Sequence, residues 1–99
     1  MTLSAKDPVE VITVTFDFSD MADTLTSAVL AVSIAAGLPD ASPMDILSGA
    51  LSISGALVMQ RIAAGQAGTT YALRCVAHDA DGEVHVAVAL LPVKTAAPA

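Results

Sequence analysis

GQAGTTYALRCVAHDADGEVHVAVALLPV, residues 65–93, contains two alternating runs of residues on either side of Asp81-Gly82. Asp-Gly is a favoured centre for a two-residue type I′ turn, because both positions of that turn require positive φ. A turn at these residues places Asp79 opposite Val84 and Leu73 opposite Leu90. The alternation then predicts a β-hairpin whose core-facing residues are Tyr71, Leu73, Cys75, Ala77, Val84, Val86, Val88 and Leu90.

The other face of this hairpin is only partly polar. The same pairing places His78 opposite His85 and Arg74 opposite Ala89. A strand that is apolar on both sides is usually covered on both. We therefore expect a partner to contact this face, and the candidate contact residues are Arg74, Val76, Ala87, Ala89 and Leu91.

The sequence also predicts strands in other parts of the chain. In Val11–Phe18 the even-numbered residues are apolar, which is the period-two pattern of a half-buried strand. Thr24–Ile34 is rich in Val, Leu, Ile and Thr. Leu51–Ile53 and Leu57–Ile62 are two short strands or one strand broken by a bulge at Gly55.

Together these segments predict one all-β domain. Ser42-Pro43 resembles a helix start, and Gly49 would end that helix within two turns. The expected fold is a single antiparallel β-sandwich, immunoglobulin-like, with at most one short helical turn, although a small β-barrel is also compatible. Residues 1–10 form an N-terminal arm, 11–93 the sandwich and 94–99 a flexible C-terminal tail.

Composition excludes several function classes. The 99 residues include 10 acidic and 4 basic ones, a net charge of -6, and the basic residues are scattered, which argues against nucleic-acid binding. The longest nearly apolar run is too short for a transmembrane helix, and no signal peptide is expected. The single cysteine excludes an intrachain disulfide.

Reactive clusters are not expected. His78 and His85 on one sheet face could bind zinc or nickel with Asp79 or Glu83, but alternation sends Asp79 to the opposite face, which favours ordinary surface or interface histidines. Cys75 is assigned to the core, and Tyr71 is expected there with its hydroxyl bonded to nearby backbone. The sequence thus predicts no catalytic residue, no metal site and no cofactor.

Several short motifs occur in a characteristic order along the chain. They are Lys6-Asp7-Pro8 with Glu10, Phe16-Asp17-Phe18-Ser19, Asp23-Thr24-Leu25 with Ser27, and Gly65-x-x-Gly68-Thr69-Thr70-Tyr71. In these motifs, spread over residues 6–93, the chain resembles the phage fiber-tail adaptor proteins of tailed bacteriophages.

The resemblance implies a structural protein of the phage particle that has no catalytic activity. It would act as an adaptor in the neck or tail, linking tail or connector proteins to fibres. Its partners would be these virion proteins and further copies of itself in a symmetric ring, with no nucleic acid and no membrane, after assembly in the host cytoplasm. Asp7 and Glu10 of the arm are further contact candidates. The alternatives are a capsid decoration protein and a ligand-binding module on the virion surface.

Overall fold

The computed structural model describes residues 2–95. Their strands form two antiparallel three-stranded sheets, in the orders β1-β4-β3 and β2-β5-β6. The elements are β1 (Ile12–Asp17), β2 (Leu25–Gly37), a 3-10 turn (Pro43–Ile46), β3 (Leu47–Ser54), β4 (Leu57–Ile62), β5 (Thr69–Asp79) and β6 (Val84–Val93). The predicted all-β sandwich with one short helical turn is confirmed. The described residues contain six strands rather than the seven of a constant-type immunoglobulin domain, and the immunoglobulin-like assignment stays a prediction.

The core lies between the two sheets. From the first sheet, Val14 and Phe16 of β1 are buried, as the alternation predicts. From the second, Leu30 and Val32 of β2 are buried, also as predicted. The other buried apolar residues are Phe18, Leu25, Ile46, Val58, Ile62, Tyr71, Leu73, Cys75, Ala77, Ala89, Leu91 and Val93. The core is therefore built from inward residues of all the sheet strands, with β3 contributing only half-buried side chains.

Gly55 is part of a hairpin turn, so Leu47–Ile62 forms two strands rather than one bulged strand. Ser54 pairs with Leu57, which leaves Gly55 and Ala56 as a two-residue loop. Gly55 has φ 57° and Ala56 is not in the positive-φ region, the pattern of a type II′ turn with glycine first.

The β5–β6 hairpin has a different turn from the predicted one. Asp79 pairs with Glu83 through a 3.0 Å backbone hydrogen bond, so the loop has three residues, Ala80, Asp81 and Gly82. Only Gly82 has positive φ, at 87°, which excludes a type I′ turn. The physical reason is the Asp79 carboxylate. Its Oδ1 accepts the backbone N–H groups of Asp81 and Glu83, both at 2.9 Å, and this local bonding stabilises the longer loop.

The longer loop shifts the strand pairing by one residue. Leu73 lies opposite Ala89 and Ala77 opposite His85, so the predicted register is wrong. A one-residue shift transfers every side chain of a strand to the other face. The predicted core residues Val84, Val86 and Val88 are 54%, 45% and 44% exposed. Small alanines take their place inside, in the same core as the large rings of Phe16 and Phe18.

The N-terminal segment lies along the edge of β6. Thr2 and Lys6 form parallel bridges with Leu90 and Val93. The Lys6 side chain is buried, and its Nζ donates to the carbonyl oxygens of Ala64 at 2.6 Å and Asp7 at 2.9 Å. Burial lowers the pKa of Lys6, while Glu10 and Asp7 act in the opposite direction. The division of the chain into arm, sandwich and tail stays a prediction, and residues 96–99 of the predicted tail lie outside the described residues.

Candidate interaction surface

The outer face of the β2-β5-β6 sheet is apolar and exposed. The strand pairing places Val29, Val76 and Val86 in one row across the three strands. Val84 and Val88 occupy the rows on either side, next to His78 and Arg74. Val29 is the most exposed of the set at 65%. We call the surface formed by Val29, Val76, Val84, Val86 and Val88 the valine face.

Acidic side chains are absent from the valine face. All ten acidic residues fall within residues 2–95, and none occupies an outward position in the four rows from Ser27-His78-Val84 to Ser33-Ala72-Leu90. Arg74 is the only arginine or lysine in these four rows. A contiguous exposed apolar surface of this kind is typical of a protein contact site, where charged residues are depleted at the centre.

The predicted contact residues of the hairpin divide between the two faces. Arg74 and Val76 lie on the outer face, exposed and half-buried respectively. Ala89 and Leu91 are fully buried and Ala87 is half-buried against the core, so their predicted place on the outer surface is wrong. The cause is the shifted register, which turns the odd-numbered residues of β6 inward. The same shift explains why sequence analysis placed Val84, Val86 and Val88 in the core. Val29 belongs to β2, where the predicted alternation is correct, but it was not among the predicted contact residues.

Asp7 and Glu10 form a small turn at the end of the N-terminal segment. The Asp7 N–H donates to Glu10 Oε1 at 2.7 Å, and the Glu10 N–H donates to the Asp7 carbonyl at 3.0 Å. Asp7 Oδ1 also accepts the Val9 N–H at 2.9 Å. These bonds fix the turn beside the buried Lys6, and a contact role for Asp7 and Glu10 stays a prediction.

The two histidines lie on opposite faces of the sheet, because the register shift moves His85 inward. His78 is exposed on the outer face, whereas His85 Nε2 lies 3.0 Å from Asp79 Oδ2. The expectation that Asp79 and His85 point away from each other is therefore wrong. The hydrogen bond from His85, followed by that from the Glu83 N–H, holds the pKa of Asp79 below its ordinary value.

Cys75 and Tyr71 are core residues, as predicted. Burial raises the pKa of the Cys75 thiol to about 11, so the thiol is protonated at neutral pH and is a poor nucleophile. The Tyr71 ring is fully buried, and its hydroxyl accepts the Gln66 N–H at 2.9 Å and donates to Asp40 Oδ2 at 2.7 Å. Both residues serve packing and loop attachment.

Gln60 is a buried polar residue that sequence analysis missed. It lies opposite an irregular part of β3, where the pairing with β4 shifts between Ser48 and Ser52. Its Nε2 donates to the carbonyl oxygens of Ser48 and Gly49, both at 3.2 Å, and of Arg61 at 3.0 Å. The side chain thus bonds to backbone carbonyl groups at the irregular part of the β3–β4 pairing.

The comparison with protein families identifies the chain. Residues 6–92 match the family model described as Podophage GP4 fiber-tail adaptor protein gp77. The chain belongs to this family. The suspected relationship to the phage fiber-tail adaptors is thereby confirmed, and the adaptor is a structural component of a phage particle.

A search of curated proteins found no match. None of the helices within residues 2–95 is long and apolar enough to cross a membrane. The adaptor assignment therefore depends on the family match and on the motifs spread over nearly the whole chain.

Proposed function

We propose that this adaptor links tail or connector proteins to fibres in the neck or tail of the particle, and that the valine face is its principal contact surface. The observation that carries the proposal is the row Val29-Val76-Val86, an exposed apolar band on a sheet face without acidic residues. Burying such a band against a partner removes apolar surface from water, at roughly 25 cal/mol per Å².

The location of the acidic residues supports the choice of this face. Asp20, Asp23, Asp81 and Glu83 lie at one end of the sandwich, whereas Asp40 lies at the other, where its Oδ2 accepts the Tyr71 hydroxyl. The molecule measures 47 × 27 × 22 Å, so these ends are separated by its long axis. Copies placed side by side, each with its valine face against a different surface of the next copy, would keep their like charges at the ends. We therefore expect repeated copies in a symmetric ring. We further propose that the ring assembles in the host cytoplasm.

The buried reactive side chains favour a structural role without catalysis. Cys75 is protonated and buried, and Tyr71 is engaged in two hydrogen bonds. The scattered basic residues do not favour nucleic-acid binding. We propose that the adaptor catalyses nothing, and that its contribution is a surface complementary in shape to its neighbours.

The test is incorporation of variants into particles. Val86→Asp and Val29→Asp each place a charge in the exposed apolar band, where burial against a partner would leave the carboxylate unpaired. We expect both variants to fold, because these positions are exposed, but to be lost from purified particles. Thr15→Asp is the matched control, since Thr15 is exposed on the outer face of the other sheet.

Quantitative mass spectrometry of the particles gives the result. Incorporation of Thr15→Asp at the wild-type level with loss of both valine variants supports the valine face. Normal incorporation of Val86→Asp and Val29→Asp would contradict it. Copy number separates the adaptor from a decoration protein, because a single ring holds about a dozen copies and a decorated capsid holds hundreds.

A further inference from the structure

Three possible metal ligands converge at the tip of the β5–β6 hairpin. Asp79 ends β5, Glu83 closes the loop, and His85 is the second residue of β6. His85 Nε2 lies 3.0 Å from Asp79 Oδ2 and 3.9 Å from Glu83 Oε2. All three ligand atoms lie within 4.8 Å of one another. The three-residue loop creates this arrangement, because the pairing of Asp79 with Glu83 brings His85 to the same face.

The loop holds the Asp79 carboxylate in a fixed orientation. Its Oδ1 accepts two backbone N–H groups, from Asp81 and Glu83, so Oδ2 points toward His85. The His85 ring packs against Phe18, with ring centroids 6.5 Å apart. The Asp79 and His85 side chains are only 8% and 12% exposed, whereas that of Glu83 is 71% exposed. The side chains of Asp79 and His85 are thus fixed in position, whereas the exposed side chain of Glu83 can move.

A hydrogen bond joins only two of the three groups. The Nε2 atom of His85 carries at most one proton, and this proton can satisfy the Asp79 oxygen at 3.0 Å. The Glu83 oxygen at 3.9 Å is beyond hydrogen-bonding distance of Nε2. Two carboxylates therefore approach one imidazole nitrogen, an arrangement that a divalent cation between them would stabilise.

We propose that Asp79, Glu83 and His85 form a binding site for a divalent transition-metal ion of the zinc type. Zinc binds imidazole nitrogen and carboxylate oxygen at about 2.0–2.2 Å in tetrahedral geometry, so donors that share one ion lie about 3.4 Å apart. The 3.0 Å separation of His85 and Asp79 is close to this spacing, whereas Glu83, 3.9 Å from His85, has to move closer. The exposed Glu83 side chain can shorten its remaining distance to Asp79.

The three donor atoms favour some metal ions over others. One nitrogen and two oxygens suit zinc and its neighbours in the transition series, whereas calcium requires six to eight oxygen ligands. A cavity of about 460 Å³ adjoins the site and is lined by further carboxylates from Asp20, Asp23 and Asp81. It provides space for water to complete the coordination, and its negative charge attracts cations.

The ion would tie the end of β5, the loop and the start of β6 together. An ion that binds only the folded chain raises the unfolding temperature, and the stabilisation grows with the logarithm of the free ion concentration above the dissociation constant. The metal would therefore stabilise the hairpin whose loop length determines which side of β6 faces the core.

The test is zinc titration of the untagged, chelator-treated protein by calorimetry, with thermal unfolding in parallel. We expect one Zn²⁺ per chain and a higher unfolding temperature. Glu83→Gln and His85→Ala are each expected to weaken binding at least about tenfold. His78→Ala is the matched control, because His78 lies exposed on the opposite face and is expected to leave binding unchanged.

Since Glu83 is exposed, Glu83→Gln is expected to fold even if His85→Ala does not. Saturable zinc binding that Glu83→Gln weakens and His78→Ala preserves supports the site. Absence of saturable binding, equal weakening by His78→Ala, or displacement of zinc by equimolar calcium would overturn it, the last because a nonspecific acidic patch does not distinguish the two ions.

Discussion

Tyr71 connects the core to the loop that precedes the 3-10 turn. Its hydroxyl donates to Asp40 Oδ2 at 2.7 Å and accepts the Gln66 N–H at 2.9 Å. The Tyr71 hydroxyl, followed by the Ser42 N–H, holds the pKa of Asp40 below its ordinary value. Burial, followed by the bond to Asp40, raises the pKa of Tyr71. One buried ring thus fixes two loops at the same end of the sandwich.

Tyr71→Phe is expected to lower stability most at neutral pH. A depressed carboxyl pKa contributes stability above the unfolded value, about 3.9 for Asp, and this contribution disappears as the pH falls through the folded value. The difference between wild type and Tyr71→Phe in urea unfolding should therefore shrink as the pH falls below the unfolded value of about 3.9.

Asp40→Asn provides the control for that measurement. It removes the titrating group, so adding Tyr71→Phe to the Asp40→Asn variant should produce a difference that does not vary over the same pH range. A wild-type difference that stays constant with pH would contradict the Tyr71–Asp40 linkage.

Some buried side chains were predictable and others were not. Alternation in β5 identifies Tyr71 and Cys75 as core residues, because both lie on its apolar side. The burial of Lys6 and Gln60 could not be predicted in this way, because a polar side chain is buried only where backbone carbonyl groups from other parts of the chain accept its hydrogen bonds. The Ala64 carbonyl that accepts the Lys6 ammonium is 58 positions away in sequence. Local patterns contain no information on that contact.

The β5–β6 hairpin shows how one side chain sets the faces of a whole strand. Both strands were predictable from their composition, but the register was not. Asp-Gly alone favours a two-residue turn, whereas the Asp79 carboxylate favours a three-residue loop by accepting two backbone N–H groups. The valines of β6 were therefore expected inside and lie outside. The candidate contact surface depends on this single difference.

Two glycines with positive φ, Gly37 at the end of β2 and Gly82 in the β5–β6 loop, provide a test of backbone geometry. Gly37 has φ +90°, and a Cβ there would lie 2.1 Å from the Gly68 carbonyl oxygen. Gly82 has a similar φ of +87°, but a Cβ there meets nothing within 4 Å. Gly82→Ala should cost about 1–2 kcal/mol for the left-handed conformation alone. Gly37→Ala should cost about 1–3 kcal/mol more from the clash.

Denaturant unfolding of the two variants measures this difference. Because their φ values match, the Gly82→Ala variant serves as the control for backbone strain. Equal destabilisation of the two variants would contradict the close approach of β2 to the start of β5 at Gly37 and Gly68.

The whole molecule has chemically distinct sides. The outer face of β2-β5-β6 is apolar, whereas the outer face of the other sheet presents Thr13 and Thr15 from β1 and Ser52 from β3. Acidic residues occupy the two ends of the 47 Å long axis. We expect such a molecule to contact neighbours laterally through the valine face, and other tail or fibre proteins through its ends.

A reconstruction of the intact particle by electron cryo-microscopy tests the central proposal most directly. We expect the chain between the tail and the fibres, in a ring of identical copies, with Val29 and Val86 covered by a neighbouring protein. A chain located on the capsid shell, or a ring in which the valine face points to solvent, would contradict the proposed role of this face.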